Sequence, residues 1–132
     1  MKGGGPESYA ARFTWFVFRE AEIINWPGEL REDNLTAEAV YTEIETTGHF
    51  ECSNPLFNQI NKIWRRSLTD NSHGSIISDC PHRERSAYTG DGQVACVTVM
   101  HNYDAAVLYT KWIKDILLAQ NKATGYVPNG AP

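Results

Sequence analysis

No apolar run in this 132-residue sequence approaches the ~20 residues that cross a bilayer as a helix, so no membrane partner is expected. Cysteine is scarce. Cys52, Cys80 and Cys96 cannot all pair with one another and none forms C-x-x-C, which argues against a disulfide framework. They are expected to be reduced thiols serving as small buried hydrophobes. Strong charge of either sign is missing too. Twelve basic residues against sixteen acidic ones leave a net charge of −4, which weighs against a nucleic-acid surface. The opening residues 1–8 hold one Lys and three glycines without an apolar stretch. They are expected to be a flexible segment rather than a secretory signal. With 42% apolar and 21% charged residues, collagen, coiled-coil and wholly disordered architectures are also excluded.

What is present divides in two. Residues 1–53 carry four basic and ten acidic side chains, a balance of −6, and residues 54–132 carry eight and six, a balance of +2. The first part is expected to be β structure. Arg12 to Ile24 is rich in aromatic and β-branched residues, and Trp26-Pro27-Gly28 ends it as a turn. Thr36 to Glu45 alternates, with Val40, Thr42 and Ile44 on one face, as a half-buried strand does. His49 to Cys52 reads as a further short strand. The second part changes period. Asn54-Pro55 predicts an N-cap with proline at the first helical position, and Leu56, Phe57, Ile60, Ile63, Trp64 and Leu68 follow at helical spacing. A second helix is expected over about 93–102. A third is expected over 104–121, with Leu108, Trp112, Ile116 and Leu117 along one stripe. Strands first and helices second make the fold class mixed.

Between the first two helices, residues 71–92 lack any amphipathic pattern. Loops beyond about 12–15 residues are uncommon inside compact domains and often functional. Asp79-Cys80-Pro81-His82-Arg83-Glu84-Arg85-Ser86-Ala87-Tyr88-Thr89-Gly90-Asp91 puts three carboxylates and two guanidiniums beside an aromatic ring. An Asp beside Arg stays ionised, whereas a Glu in a drier place retains its proton. Such a division suits glycosidic cleavage, in which one carboxylic acid protonates the leaving oxygen. Carboxylates also accept charge-assisted hydrogen bonds from sugar hydroxyls. The competing account is a solvated surface whose ion pairs contribute at most ~1 kcal/mol each.

Other groupings carry less. His73, Cys80 and His82, even with Cys96, lack a recognised zinc spacing, so no metal site is expected. His49 and His101 read as ordinary surface or core histidines. Trp64 and Trp112 lie on helix stripes and are expected in the core. Asn34-Leu35-Thr36 fits a glycosylation acceptor, which has meaning only in a eukaryotic secretory protein.

The loop also resembles the catalytic loop of the bacterial α-L-rhamnosidases, glycoside hydrolase family 78, whose form is D-C-P-x-R-(D)-E-R-x-G-W-x-G-D. Asp79, Cys80, Pro81, Arg83, Glu84, Arg85, Gly90 and Asp91 match it. Phe13-Thr14-Trp15-Phe16-Val17-Phe18-Arg19 is similar to that family's F-T-Y-x-G-F-R strand. The stretch from Gly48 to Asn58 resembles its G-x-F-x-C-S-N-P-L-L-N lead into the first barrel helix. The stretch from Gly125 to Pro132 is similar to its following G-x-x-P…P loop. The likeness runs from about Tyr9 to Pro132.

The resemblance implies an inverting glycosidase that releases terminal α-L-rhamnose from glycosides or polysaccharides without a cofactor. The implied architecture is a β-sandwich portion over residues 9–53, followed by α-helices over 54–132 that form the start of an (α/α)6 barrel. By motif position Glu84 is the general acid. Asp79 and Asp91 bind rhamnose hydroxyls with Arg83 beside them, and Tyr88 lines the pocket near the sugar's methyl group. Two residues depart from the pattern. Tyr88 replaces a Trp and adds a hydroxyl, and Ala87 replaces a Gly, adding a Cβ where φ > 0 is a possible requirement. The resemblance also implies a second carboxylate, the general base, far along the domain. A full barrel needs about twelve helices of ~10–15 residues. Three are read here, and Tyr126 to Pro132 stops in mid-loop. The sequence is therefore expected to be the seam between two larger domains, inactive alone and lacking the remainder of its catalytic domain. The alternatives are a non-catalytic carbohydrate-binding or interaction module, or another enzyme on the same kind of helical barrel.

Overall fold

The computed structural model describes residues 3–74 and 76–131. Met1, Lys2 and Pro132 lie outside them, and with them the ends of the expected flexible segment and of the expected closing loop. The chain forms two units, Met1–Glu38 and Ala39–Pro132. The charge break near residue 53 falls inside the second.

In the first unit the only regular element among the described residues is a 3-10 turn, Glu32–Asn34. It is closed by the Asn34 amide on the Arg31 carbonyl at 3.0 Å and by the Arg31 amide on Asn34 Oδ1 at 2.8 Å. The strand expected over Arg12 to Ile24 does not form. Its residues run without a ladder, Phe13 turns to φ 60°, and Phe16, Val17, Phe18 and Ile24 stay exposed. The physical reason is pairing. A strand is held by the backbone groups of a neighbour, and no partner strand lies among the described residues of this unit.

Among its described residues the second unit holds three helices: α1, Pro55–Asp70; α2, Thr89–Asn102; and α3, Ala106–Ala119. The start of α1 follows the expected logic. Asn54 keeps an extended backbone while its Oδ1 accepts the Leu56 amide at 3.0 Å, and Pro55 fills the first position, where no N–H is needed. Asn58 adds a second clasp. Its side-chain amide donates to the Cys52 carbonyl at 2.8 Å and accepts the Cys52 amide at 2.9 Å, which fixes how the chain enters the helix. The helix closes at Asn71, whose amide bonds the Ser67 carbonyl at 3.1 Å.

Segments 36–45 and 49–52 are extended but form no strand; this corrects the expectation of strands there. The alternation has another meaning. Thr42 and Ile44 are half-buried while Val40, expected on the same face, is exposed, and the backbone here bonds helix ends instead of a neighbouring strand. The Thr42 amide donates to Ser72 O at 2.7 Å, its Oγ1 accepts the Gly74 amide at 2.6 Å, and Glu45 O accepts the Asp104 amide at 2.9 Å. A single antiparallel bridge joins Thr46 to Tyr103. Gly48 seals this contact: its amide donates to Asn102 O at 3.0 Å, and a Cβ there would collide with the His101 carbonyl.

The core of this unit is Leu68, Ile76, Ile77, Val99, Ala105, Leu108, Tyr109 and Trp112, with Ile44, Trp64 and Ile116 packed against it. Tyr109 and Trp112 meet edge to face, ring centroids 5.9 Å apart. Along α3, Leu108, Trp112 and Ile116 face inward as expected, but Tyr109 completes the stripe and Leu117 is exposed. The amphipathic face of α1 is only partly used. Leu68 is buried and Trp64 half-buried, while Leu56, Phe57, Ile60 and Ile63 each keep half or more of their surface exposed. Helix α2 begins four residues earlier than its apolar pattern predicts. Gly92 accounts for this: its missing side chain lets the first turn press against Trp112 and Ile76.

Candidate active site

The loop over 71–88 is long but well anchored. At its start, the buried Ser72 donates Oγ–H to Leu68 O at 2.7 Å, and the Ser78 amide returns to Asn71 O at 2.9 Å. Ile76 and Ile77 are buried in the core and fix the loop from beneath. Further on, the loop doubles back. The Asp79 amide donates to Ser86 O at 3.2 Å, and the Arg85 amide to Cys80 O at 3.2 Å. The turn between them places Arg85 at φ 55°.

A second loop locks this one. The Thr89 amide donates to Asn129 O at 2.7 Å and its Oγ1 donates to the same oxygen at 3.1 Å. The Ala131 amide donates to Ala87 O at 3.2 Å, and Tyr88 forms an antiparallel bridge with Gly130. Ala87 is absent from the left-handed region, so its Cβ adds no backbone strain. Gly74 and Arg85 are the described residues of the loop that do take φ > 0, and of these only Arg85 carries a Cβ.

Three of the five expected site residues meet on this frame. The half-buried Asp79 accepts the Ser86 amide on Oδ1 at 3.3 Å and the Cys80 thiol on Oδ2 at 3.3 Å. The Glu84 carboxyl also comes within hydrogen-bonding reach of it. Desolvation would push the Asp79 carboxyl up. The bonds from Glu84, Cys80 and Ser86 outweigh it and hold Asp79 below the usual carboxylate range. On the other side, Tyr88 donates its hydroxyl to Glu84 Oε2 at 3.2 Å. The charge of Glu84 and that hydrogen bond push the Tyr88 phenol up. Arg83 flanks the group, with Nη2 3.9 Å from Glu84 Oε1, and remains largely exposed. Asp91 stands apart on the first turn of α2, exposed; among the described residues its side chain has no hydrogen bond to the other four.

The arrangement is a carboxyl pair, one member held ionised, with a phenol on one side and a guanidinium on the other. It can hold one proton, deliver it, and accept hydrogen bonds from hydroxyl groups. Three contributors were not legible in the sequence. Ser86 and Asn129 act through backbone groups, which leave no side-chain signature. Cys80 reads as a buried thiol but spends its S–H on Asp79. Among the described residues no three His, Cys, Asp or Glu side chains are grouped as metal ligands. His49 and His101 are exposed, and Cys52, Cys80 and Cys96 are free, half-buried thiols.

Residues 45–132 match the bacterial alpha-L-rhamnosidase six-hairpin glycosidase domain. The chain belongs to that family. Relatives in the rhamnosidase family agree over most of its length. An alpha-L-rhamnosidase of Formosa agariphila is 40% identical over 115 residues, which is 87% of this chain and 12% of the relative. One of Streptomyces avermitilis is 32% identical over 124 residues, 91% of this chain and 12% of the relative. The solved alpha-L-rhamnosidase of Dictyoglumus thermophilum superimposes with a TM-score of 0.73 at 31% identity, covering 81% of this chain and 12% of that one. The rhamnosidase-family chain described here thus spans about an eighth of the length of the relatives it matches. Its three helices belong to a helical six-hairpin glycosidase domain.

Proposed function

We propose that this chain carries the general acid of a glycoside hydrolase that releases terminal α-L-rhamnose with inversion. The observation that carries the reading is the cluster in Asp79-to-Asp91, where Glu84 lies between an ionised Asp79 and the Tyr88 hydroxyl. In this reading Glu84 protonates the glycosidic oxygen as the C–O bond breaks and its electron pair passes to that oxygen. Asp79 and Asp91 accept hydrogen bonds from rhamnose hydroxyls. Their negative charge favours the oxocarbenium-like transition state, with Arg83 beside them. The ring of Tyr88 lines the pocket. The substrates are rhamnose-containing glycosides or polysaccharides, and two carboxyl groups suffice without a cofactor.

Inversion needs acid and base ~6.5–9.5 Å apart, with a water between base and sugar. Asp79, the carboxyl neighbour of Glu84 in this cluster, is read as a sugar-binding group rather than as that base. In our reading the base belongs to the part of the whole protein beyond this span. Residues 54–132 then form the first helices of an (α/α)6 barrel whose further helices cover Leu56, Phe57, Ile60 and Ile63. Of the expected 9–53 segment, the part up to Glu38 forms the end of a β-sandwich whose other strands pair the exposed Phe13-to-Phe18 stretch, while the remainder packs with the helices. Both proposals rest on apolar surface that the chain leaves exposed.

The test is Glu84→Gln in the full-length protein, assayed on an aryl α-L-rhamnoside. Removal of a positioned acid is expected to lower turnover by ~10²–10⁴-fold with rhamnose binding retained. A variant that hydrolyses at near the parental rate refutes the assignment. The 132-residue chain alone is expected to turn over none, and ordinary glycosidase rates from it would refute the proposed division of acid and base.

A further inference from the structure

Tyr88 stands where the family pattern has a tryptophan, and the difference is chemical as well as steric. An indole offers only a ring N–H, whereas a phenol carries an O–H at the end of its ring. In this chain that O–H is aimed at Glu84 Oε2 at 3.2 Å. Tyr88 is also the residue immediately before α2, with φ −75° and ψ 140°. Its backbone is held by the bridge to Gly130 and by its own amide donating to Ser86 O at 3.1 Å. The hydroxyl is thus presented from a fixed backbone, and Glu84 sits four residues earlier on the doubled-back turn. The other groups facing Glu84 are Asp79, within hydrogen-bonding reach, and the Arg83 guanidinium, 3.9 Å from the second oxygen, Oε1.

We propose that the Tyr88 hydroxyl is a positioning group for the acid, a role that rests on reading Glu84 as the general acid. By donating to one carboxyl oxygen it leaves the other, Oε1, to hold and deliver the proton. The carboxylate formed by that delivery then keeps a hydrogen bond already in place. The hydroxyl and the Arg83 guanidinium thus flank the two oxygens of Glu84 from opposite sides. The consequence is selective. Assistance matters most when the departing oxygen is a poor leaving group, as in alkyl and sugar aglycones. It matters least for activated aryl aglycones, which depart with little protonation.

Tyr88→Phe and Tyr88→Trp in the full-length protein separate ring from hydroxyl. Both variants keep an aromatic surface, and Trp restores the family's residue if Phe folds poorly. In each, loss of a donor to the charged form is expected to move the alkaline limb of the kcat/KM profile upward by about half to one pH unit. Turnover of an alkyl or disaccharide rhamnoside should fall about three- to tenfold, with a smaller change on an activated aryl rhamnoside. A merely pocket-lining ring predicts a change in KM alone, with both the pH limb and the aglycone dependence unmoved; that result from the two variants overturns the proposal. Glu84→Gln, run alongside, distinguishes the layers. If it stays active, the acid assignment itself fails. If it is inactive and the Tyr88 variants leave the limb in place, only the role of the hydroxyl fails.

Discussion

Gly92→Ala tests whether the first turn of α2 supports the 71–88 loop by close packing. A Cβ built on Gly92 lies 2.6 Å from Trp112 Cη2, 2.7 Å from Cζ2 and 2.9 Å from Ile76 Cγ1. Carbon atoms pack optimally at ~3.5–4.0 Å, so something must give by about 1 Å. Neither neighbour is free to move. Trp112 is buried edge-on against Tyr109, and Ile76 is 2% exposed. Overpacking of this kind costs ~1–3 kcal/mol. The better helix propensity of alanine returns at most ~1 kcal/mol. The net expectation is a loss of about 1–2 kcal/mol. Gly90 supplies the control on the same turn, since a Cβ there meets nothing within 4 Å. Gly90→Ala is therefore expected to be neutral or slightly stabilising. Thermal unfolding of the two variants in the full-length protein, with amide exchange across residues 76–88, makes the comparison. Gly92→Ala should lower the midpoint and loosen the loop, because Ile76 is both the clashing atom's owner and the loop's buried anchor. If Gly92→Ala proves as stable as Gly90→Ala and the loop amides remain protected, the packing account is wrong.

Two further expectations concern the frame. Arg65 donates from Nη2 to Gly48 O at 2.5 Å and to Asn102 Oδ1 at 2.9 Å, and its guanidinium lies 5.3 Å from the Tyr103 ring centroid. Arg65→Met should cost about 1–3 kcal/mol and Arg65→Lys clearly less, read as unfolding midpoints; equal midpoints for the wild type and Arg65→Met would remove Arg65 from the frame. His73 has a pKa lowered chiefly by desolvation, against the bond to Val40 and the charge of Asp70, with Arg85 adding to the lowering. The folded state therefore binds the proton less readily than the unfolded chain. The stability this contributes is present above pH 6.5 and is lost as pH falls through the depressed folded value. The wild type should lose more stability than His73→Gln between pH 7.5 and pH 5, and parallel pH dependences would contradict the assignment.

The helices were legible because helix formation is written in local terms. The 3.6-residue period, the Asn54 cap and Pro55 all sit within one turn of what they specify. The start of α2 was not, since Thr89-Gly90-Asp91-Gly92 has no apolar period. Its helical state is fixed by Trp112, twenty residues away, and by the carbonyl of Asn129. The strand expectations failed for a related reason. Alternation reports which residues turn inward, as Thr42 and Ile44 do, but not what the backbone bonds. Here the partners are helix ends. In the candidate site, the motif pointed to Asp79, Glu84 and Tyr88 together, and the structure brings them together. It does not bring Asp91 to them. The support from Ser86 and Asn129 runs through amides and carbonyls that every residue possesses, and so leaves no trace in residue type.

Main-chain support of this kind governs how the loop can drift. The clasp between 87–89 and 129–131 is almost wholly main-chain, broken by few side-chain requirements beyond Thr89. Substitutions along either segment leave its amides and carbonyls in place. Residue 87 is alanine where the pattern it resembles has glycine, and its carbonyl accepts the Ala131 amide. A neighbourhood built this way tolerates mutation while Glu84 and Tyr88 keep their places, so its side chains can vary without first losing the fold.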